Sequence, residues 1–303
     1  MGFALSTSWN AFRHKNGLEM IFEIKQLGFE EVELSFNLDS AIVSQIANLT
    51  KNGQIKVSSV HNYCPIPENL SREEALPDFY SMSSLDETER KVAVKYTKRT
   101  IDTAALLNAK AVVLHCGRVE IKDRTRDLIN LYESKKEETP EFIRLRDDIV
   151  GERSSSAAVY FQKCLLSLDE LNSYAKEKNV LLGVENRFYY REIPGFEEIG
   201  LILKRFRGSN VLYWHDTGHA QLMENLKLGK HLDFLNSYAD SMLGIHLHDI
   251  TGCRDHQAPI CGKLDFKILK PYLKQKTIKV IEAHYPATGE ELREAGKFLS
   301  GNL

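Results

Sequence analysis

The sequence lacks the features of a membrane-spanning or disordered protein. No stretch of its 303 residues approaches the roughly 18 consecutive apolar residues that span a bilayer, and no basic start leads into a long apolar run. With 18 glycines and 8 prolines, the chain has too few of both for a collagen-like or linker-dominated protein. A composition of 43% hydrophobic and 27% charged residues favours a folded protein without a membrane partner.

The sequence also lacks any paired arrangement of cysteines. Its five cysteines are odd in number and form no CxxC pair, so neither a disulfide framework nor a structural zinc ribbon is indicated. We expect a reducing compartment and therefore a cytoplasmic location. The five cysteines are Cys64, Cys116, Cys164, Cys253 and Cys261.

Neither sign of charge is in marked excess. Forty basic and 42 acidic side chains give a formal net charge of −2. A strong, non-specific attraction to phosphate backbones or anionic membranes is therefore not indicated. A nucleic-acid partner is disfavoured rather than ruled out.

Short apolar runs recur along the chain, and most end in a polar residue. Each is followed by a longer stretch with helical periodicity, which indicates strands alternating with helices. The eight predicted strands are 2–6, 31–35, 55–61, 111–115, 180–185, 211–216, 243–248 and 278–282. The predicted helices are 17–27, 40–52, 85–107, 154–178, 196–206, 232–238, 266–273 and 290–299. Ser84 and Glu87 have the spacing of a capping box at the start of the third helix.

This alternation predicts an α/β fold, a single (β/α)8 TIM barrel. An open doubly wound sheet is disfavoured because no Gly-rich phosphate loop follows any strand. Length alone would allow two domains at about 150 residues each, although α/β barrels run to about 250 residues as one. Candidate metal ligands extend from position 61 to position 282, so we expect one domain over residues 1–303.

Two connections are longer than usual, 62–83 after the third strand and 117–153 after the fourth. In the second, Thr139 and Pro140 have the pattern of an N-cap and first helical residue, which predicts an inserted helical hairpin. Connections that follow barrel strands lie on the catalytic face. Both segments are therefore predicted to cover an active site.

Six of the eight strands end in histidine, aspartate or glutamate. A closed parallel barrel brings those ends to one small region, where several carboxylates would repel one another unless a cation compensated them. Mixed imidazole and carboxylate ligation suits zinc, manganese or cobalt better than calcium. The residues at the strand ends are His61, His115, Glu185, Asp216, His246 and Glu282.

Two motifs add residues to this set. In HDTGHA, Asp216 ends a strand and His219 follows about one helical turn later, so both can approach one centre, whereas His215 is predicted to pack behind the barrel. In HLHD, His246 and His248 share one side of a strand. We take His246 as the ligand candidate and His248 as a candidate for binding substrate.

The chain resembles the xylose isomerase-like barrel superfamily, which joins sugar isomerases and epimerases with endonuclease IV. The resemblance covers nearly the whole chain and is most specific at HDTGHA; it also includes VHNY, LHCG, VEN, HLHD, DHQAPICGKLDF and VIEAHYP. In the epimerases one divalent metal ion is bound by residues of the last four strands. The resemblance places those four ligands at Glu185, Asp216, His246 and Glu282.

Endonuclease IV has further ligands for a three-zinc cluster, and the resemblance places them at His61, His115, His219 and His256. Its aspartate two residues before the last histidine corresponds to Arg254 here, with Asp255 adjacent. A cation in place of an anionic ligand should weaken the third metal site. We therefore expect one or two metal ions, and we regard Arg254 as a candidate for binding an anionic group of the substrate.

The resemblance implies an isomerase or epimerase of a sugar, sugar phosphate or polyol. Glu185 and Glu282 would transfer the proton through a metal-stabilised ene-diolate. The alternatives are an endonuclease IV-like zinc hydrolase acting on abasic DNA, an inosose dehydratase-like lyase, and a non-catalytic sugar sensor. Weaker candidates for contacting a small carbohydrate are Trp9, Arg187 and Lys263. The sequence does not identify the substrate or the number of subunits, and a homo-oligomer is one of the alternatives.

Overall fold

The barrel that the sequence predicts is closed by parallel pairing of every barrel strand with its neighbours. The computed structural model describes residues 2–303. Its strands are β1 Ala4–Ser6, β2 Glu31–Leu34, β3 Lys56–His61, β4 Ala111–Leu114, β5 Leu181–Glu185, β6 Val211–Asp216, β7 Met242–Leu247, β8 Asp249–Thr251, β9 Arg254–Gln257 and β10 Ile278–Ile281. All except β8 and β9 form the barrel, which β10 closes by pairing with β1. The eight-stranded (β/α)8 prediction is confirmed.

Helices cover the outside of the barrel. They are α1 Gly17–Gln26, α2 Ser40–Lys51, α3 Glu87–Leu106, α4 Thr125–Glu133, α5 Pro140–Glu177, α6 Phe196–Arg205, α7 Thr217–Asn225, α8 His231–Tyr238 and α9 Gly289–Asn302. Their apolar faces form the main core with the outward side chains of the strands. None of the helices within residues 2–303 is both long and apolar enough to cross a membrane.

Helix α5 is longer than the predicted helix 154–178. It begins at Pro140, where Thr139 Oγ1 accepts a hydrogen bond from Phe142 N, and continues for 38 residues. Glycine and serines at 151–156 are weak helix formers, but the buried Arg153 fixes this stretch through a 2.6 Å contact with Glu198. The predicted hairpin in 117–153 is therefore α4 plus the first part of α5.

Two other local predictions are wrong. Helix α3 is capped by Asp86, whose side chain accepts from Thr88 N, because Ser84 instead hydrogen-bonds Glu89. The predicted helix 266–273 is a 3₁₀ segment, since Pro271 cannot continue an α-helix. The sequence analysis also missed α7 and the antiparallel hairpin of β8 and β9.

The indole of Trp214 forms the floor beneath the strand ends. It is fully buried inside the barrel, with its ring centroid 5.1 Å from that of His246. Gly244 on β7 and Gly183 on β5 make room for it, because a Cβ on either would lie 2.2 Å and 2.7 Å, respectively, from an indole carbon. The two glycines and the tryptophan therefore fill the barrel interior beneath the strand ends.

Replacing Gly244 with alanine is expected to lower the free energy of unfolding by about 1–3 kcal/mol or more, because the new methyl group overpacks the barrel interior. Gly151→Ala is the matched control, since a Cβ there meets nothing within 4 Å and the residue lies inside α5. That change should instead raise stability by about 0.5–1 kcal/mol. Urea denaturation of both variants checks this, and equal stability of Gly244→Ala and wild type would contradict it.

Candidate metal centre

The predicted strand-end residues meet at the carboxyl end of the barrel. Glu185 and Asp216 are the last residues of β5 and β6, His246 lies near the end of β7, and Glu282 directly follows β10. All four are at least 95% buried. Their ligand atoms lie within 4.8 Å of one another, and we call these four residues the central cluster.

The central cluster is arranged around Nδ1 of His246. This nitrogen lies 2.6 Å from Glu185 Oε1, 2.9 Å from Glu282 Oε2 and 3.7 Å from Asp216 Oδ2. Because the glutamates come from strands on either side of β6 and β7, their carboxylates approach this point from two directions.

The buried carboxylates hold their negative charge. Burial alone would raise the pKa of Glu185, but the charge of His246 and a hydrogen bond from His115 hold it well below the usual value. The pKa values of Asp216 and Glu282 are also lowered against the effect of burial, mainly by His219 and His246 respectively. Burial would lower the pKa of His246, yet Glu282 and the other carboxylates raise it well above the usual value.

These four side chains fit a divalent cation. Three buried carboxylates carry more negative charge than the imidazole of His246 and the guanidinium of Arg187 together compensate, and a buried uncompensated charge is costly. One imidazole with three carboxylates is a donor set suited to zinc, manganese or cobalt.

A second group shares Glu185 with the central cluster. His61 at the end of β3 and His115 after β4 join Glu185 in what we call the β3–β4 group. His61 Nδ1–H donates to the carbonyl of Asn62 at 3.0 Å, which leaves Nε2 as the nitrogen with a lone pair. His115 Nε2 lies 2.9 Å from Glu185 Oε2.

A third group shares Asp216. It contains His219, His248 and His256, and we call it with Asp216 the hairpin group, because His256 lies on β9. Asp216 also caps α7, where its Oδ1 accepts from His219 N at 2.7 Å. His219 Nδ1–H donates to the carbonyl of Asn186 and so leaves Nε2 available.

The predicted substrate contact His248 is fully engaged within the protein. Its Nδ1 accepts a hydrogen bond from His256 N at 2.9 Å, so Nε2 carries the proton and donates to Asp216 at 2.9 Å. A Cβ at Gly218 would lie 2.1 Å from the His248 ring. Close approach of this ring, rather than a positive φ, therefore explains the glycine of HDTGHA.

The expectation that Arg254 brings a positively charged side chain into the hairpin group is wrong. Arg254 is exposed, whereas Asp255 is turned inward beside His256, whose positive φ of 51° interrupts the alternation of side chains along β9. Asp255 Oδ2 lies 2.8 Å from His256 Nδ1 and 3.9 Å from His219 Nε2. Burial would lower the pKa of His256, but Asp255 raises it to about 9. The hairpin group therefore has an acidic side chain besides Asp216.

The weaker candidates for substrate contact differ in where they lie. Trp9 is buried, and its indole N–H donates to the carbonyl of Ala287. Lys263 is exposed outside the three groups. Arg187 is buried beside the central cluster, with Nη1 2.6 Å from Glu185 Oε2. His215 packs behind the barrel as predicted, against Tyr213 and His231.

The sequence analysis missed several polar residues near the centre. Glu33 on β2 is fully buried and its carboxylate contacts His246 Nε2. Asp78 and Glu192 lie near His115, and His284 lies near His256 and Glu282. A charged residue in the middle of a predicted buried strand, as in EVEL, was the available signal for Glu33.

Both long connections lie beside these groups. Asp78 in segment 62–83 approaches His115 and Glu192. In segment 117–153, Leu128 of α4 and Phe142 of α5 pack with Leu222 of α7 and with Ile250 of the β8–β9 hairpin. The two segments thus contact elements that carry members of the β3–β4 and hairpin groups.

Comparisons with known proteins identify one family. A family model described as "Xylose isomerase-like TIM barrel" matches residues 21–300. A curated relative, the uncharacterized protein y4fM of Sinorhizobium fredii (strain NBRC 101917 / NGR234), is 26% identical over 216 residues. That match covers 71% of this chain and 57% of the relative, so it spans little more than half of the relative's length.

Solved structures share the fold over the full chain. A D-tagatose 3-epimerase-like protein superposes with a TM-score of 0.69 at 17% identity, covering 100% of this chain and 97% of its own. The 3-keto-D-glucoside 4-epimerase YcjR from E. coli gives 0.68 at 16% identity, covering 99% of both chains. A D-psicose 3-epimerase determined with D-fructose gives 0.68 at 15% identity, covering 100% and 99%.

Proposed function

Because the chain belongs to the xylose isomerase-like TIM barrel family, we propose that it is a divalent-metal-dependent epimerase or isomerase of a small carbohydrate. The observation that carries the proposal is the central cluster, where carboxylates from β5 and β10 meet one imidazole nitrogen. A bound divalent cation would supply polarisation of the substrate carbonyl and stabilise the ene-diolate.

Two carboxylates that approach His246 Nδ1 from different sides could transfer protons to and from a carbon atom of a substrate bound there. One carboxylate removes the proton from the carbon next to the carbonyl. The other, after taking up a proton from solvent water, returns it to the opposite face or to the neighbouring carbon, and the first carboxylate then releases its proton to solvent. The first outcome is epimerisation and the second is isomerisation. Glu185 and Glu282 are our catalytic pair, and both also belong to the proposed ligand set.

Glu282 is better placed than Glu185 to act as the base. Both oxygens of Glu185 are engaged, Oε1 with His246 and Oε2 with Arg187 and His115. Only Oε2 of Glu282 contacts basic side chains, those of His246 and His256. Its Oε1 forms no hydrogen bond or ion pair with any of residues 2–303. We therefore assign the first proton abstraction to Glu282 and the return of a solvent-derived proton to Glu185.

The substrate class follows from the neighbours and from the charges. The structural neighbours are named for ketose and ketoglucoside epimerases, so we propose a keto sugar with a hydroxyl beside its carbonyl. Arg187 is paired with Glu185 and Glu192, and Arg254 and Lys263 are exposed. This favours an uncharged sugar over a sugar phosphate. Segments 62–83 and 117–153 would exclude water above it.

The proposal is tested by incubating the metal-replete protein with a panel of ketopentoses, ketohexoses and their phosphates, and with inososes. Chromatography should reveal a second isomer of at least one uncharged ketose, formed only with zinc, manganese or cobalt present. Loss of water from an inosose would favour the related lyase. A protein that holds metal but changes no member of the panel contradicts the proposal.

Asp255 favours a second candidate, a zinc phosphodiester hydrolase similar to endonuclease IV. With Asp255 near His219 and His256, the hairpin group has a second carboxylate besides that of Asp216. Zinc content and cleavage of a duplex that contains an abasic-site analogue separate the candidates. Three zinc ions per chain together with strand cleavage would favour the hydrolase. The net charge of −2 opposes it.

A further inference from the structure

We propose that Glu33 is a positioning residue for the metal centre. In this proposal it orients His246 so that Nδ1, and not Nε2, is the nitrogen offered to the cation. The inference rests on the metal-dependent function proposed above. It adds a residue from β2, a strand that contributes no member of the three groups.

The contact runs across the inside of the barrel. Strands β2 and β7 are separated by β1 and β10, so the Glu33 side chain must reach through the interior to His246. Its Oε1 and Oε2 lie 3.0 Å and 3.2 Å from His246 Nε2. Both residues are fully buried, so bulk water does not compete for this hydrogen bond.

The direction of the hydrogen bond fixes the ring. Both oxygens of the Glu33 carboxylate face Nε2, and carboxylate oxygens accept hydrogen bonds, so Nε2 is the donor in this contact. Nδ1 then faces Glu185, Asp216 and Glu282. A ring turned by 180° about its Cβ–Cγ bond would lose the contact with Glu33.

Glu33 is itself held in place. It pairs in register with Ser59 of the neighbouring strand β3, and Ser59 Oγ donates a 2.7 Å hydrogen bond to its Oε2. No other side chain within residues 2–303 forms an ion pair with Glu33 except His246. The carboxylate therefore has one charged partner and a fixed orientation toward it.

A contribution to folding stability does not explain why a carboxylate lies at position 33. Replacing a buried ion pair by well-packed apolar residues is often neutral or stabilising, and Glu33 adds a fourth buried carboxyl group beside the three of the central cluster. A carboxylate behind a ligating histidine does have a known effect on metal sites. It sets the tautomer and raises ligand basicity, and its loss typically weakens metal binding 10–100-fold.

The test compares Glu33→Leu and Glu33→Gln with wild type by competition for Zn²⁺ against a chromophoric chelator. We expect the zinc dissociation constant of Glu33→Leu to rise 10–100-fold. Glu33→Gln should lose less, because the amide oxygen still accepts from Nε2–H. Glu31→Leu and Glu31→Gln are matched controls on the same strand, where the side chain is 41% exposed, and they should leave zinc affinity unchanged.

Two further readouts separate positioning from a structural role. Urea unfolding of the metal-free proteins should show Glu33→Leu as stable as wild type or more so, whereas a structural role predicts a loss in the metal-free form as well. In zinc-loaded wild type, ¹⁵N spectra should report a protonated Nε2 in His246. Glu33→Gln provides both readouts if the leucine variant does not fold.

The outcomes distinguish failure of the proposed metal-dependent function from failure of the role proposed for Glu33. If wild type binds no divalent metal, the proposed function and this inference both fail. If wild type binds zinc and Glu33→Leu binds it within threefold as tightly, the inference alone is overturned. Ligation through Nε2 of His246 would overturn it in the same way.

Discussion

Replacing Glu282 with glutamine is expected to lower kcat by about 10²–10⁴-fold, the usual contribution of a general base. The amide in Glu282→Gln keeps the size of the side chain but cannot accept the proton, and it is a poorer ligand. The loss should exceed that of Arg187→Lys, which keeps a positive charge near Glu185. Steady-state kinetics on the ketose identified from the panel measure it.

Two observations make the Glu282 result interpretable. Metal content must be measured in the same preparation, because Glu282 is assigned both as base and as ligand. Glu177→Gln removes an exposed carboxylate in the last turn of α5 and should not change kcat. Turnover by Glu282→Gln within tenfold of wild type, with metal bound, would remove Glu282 from the catalytic pair.

Removal of the metal ion is expected to abolish turnover and to destabilise the fold. Without a cation, the carboxylates of Glu185, Asp216 and Glu282 repel one another in a buried space. A metal present at 100 times its dissociation constant stabilises the native state by about 2.7 kcal/mol, and dialysis against a chelator removes that contribution. Calorimetry should show a lower Tm that returns with zinc, manganese or cobalt.

Asp216→Asn serves as the comparison for metal removal. It loses one proposed ligand, while the amide oxygen can still cap α7 as Asp216 Oδ1 does. The chelator should therefore change its Tm much less than that of wild type. Full activity in protein shown by elemental analysis to be metal-free would refute the metal requirement.

The fold and the central cluster follow from features that the sequence displays directly. Short apolar runs give the strands, and the polar residue that ends a run lies at the carboxyl edge of the barrel. Glu185, Asp216 and Glu282 could therefore be placed together without any knowledge of contacts. Closure of a parallel barrel then brings the ends of distant strands to one region.

The residues that were missed or misplaced depend on contacts that no local pattern reports. Glu33 lies inside a strand, and its partner His246 is more than 200 positions away. The orientation of Arg254 and Asp255 depends on the register of the β8–β9 hairpin, which shifts along its length. His248 is occupied by Asp216 and His256 only because Gly218 lets the ring approach.

Exchange of hydrogen at carbon is the most direct test of proton transfer by the central cluster. Metal-replete protein is incubated with a ketose that it converts in D₂O, and NMR follows the carbon next to the carbonyl. We predict deuterium at that carbon in product, absent when Glu282 is replaced by glutamine or when metal is removed. Conversion of the ketose without any deuterium incorporation, or incorporation that persists without metal, would contradict the account.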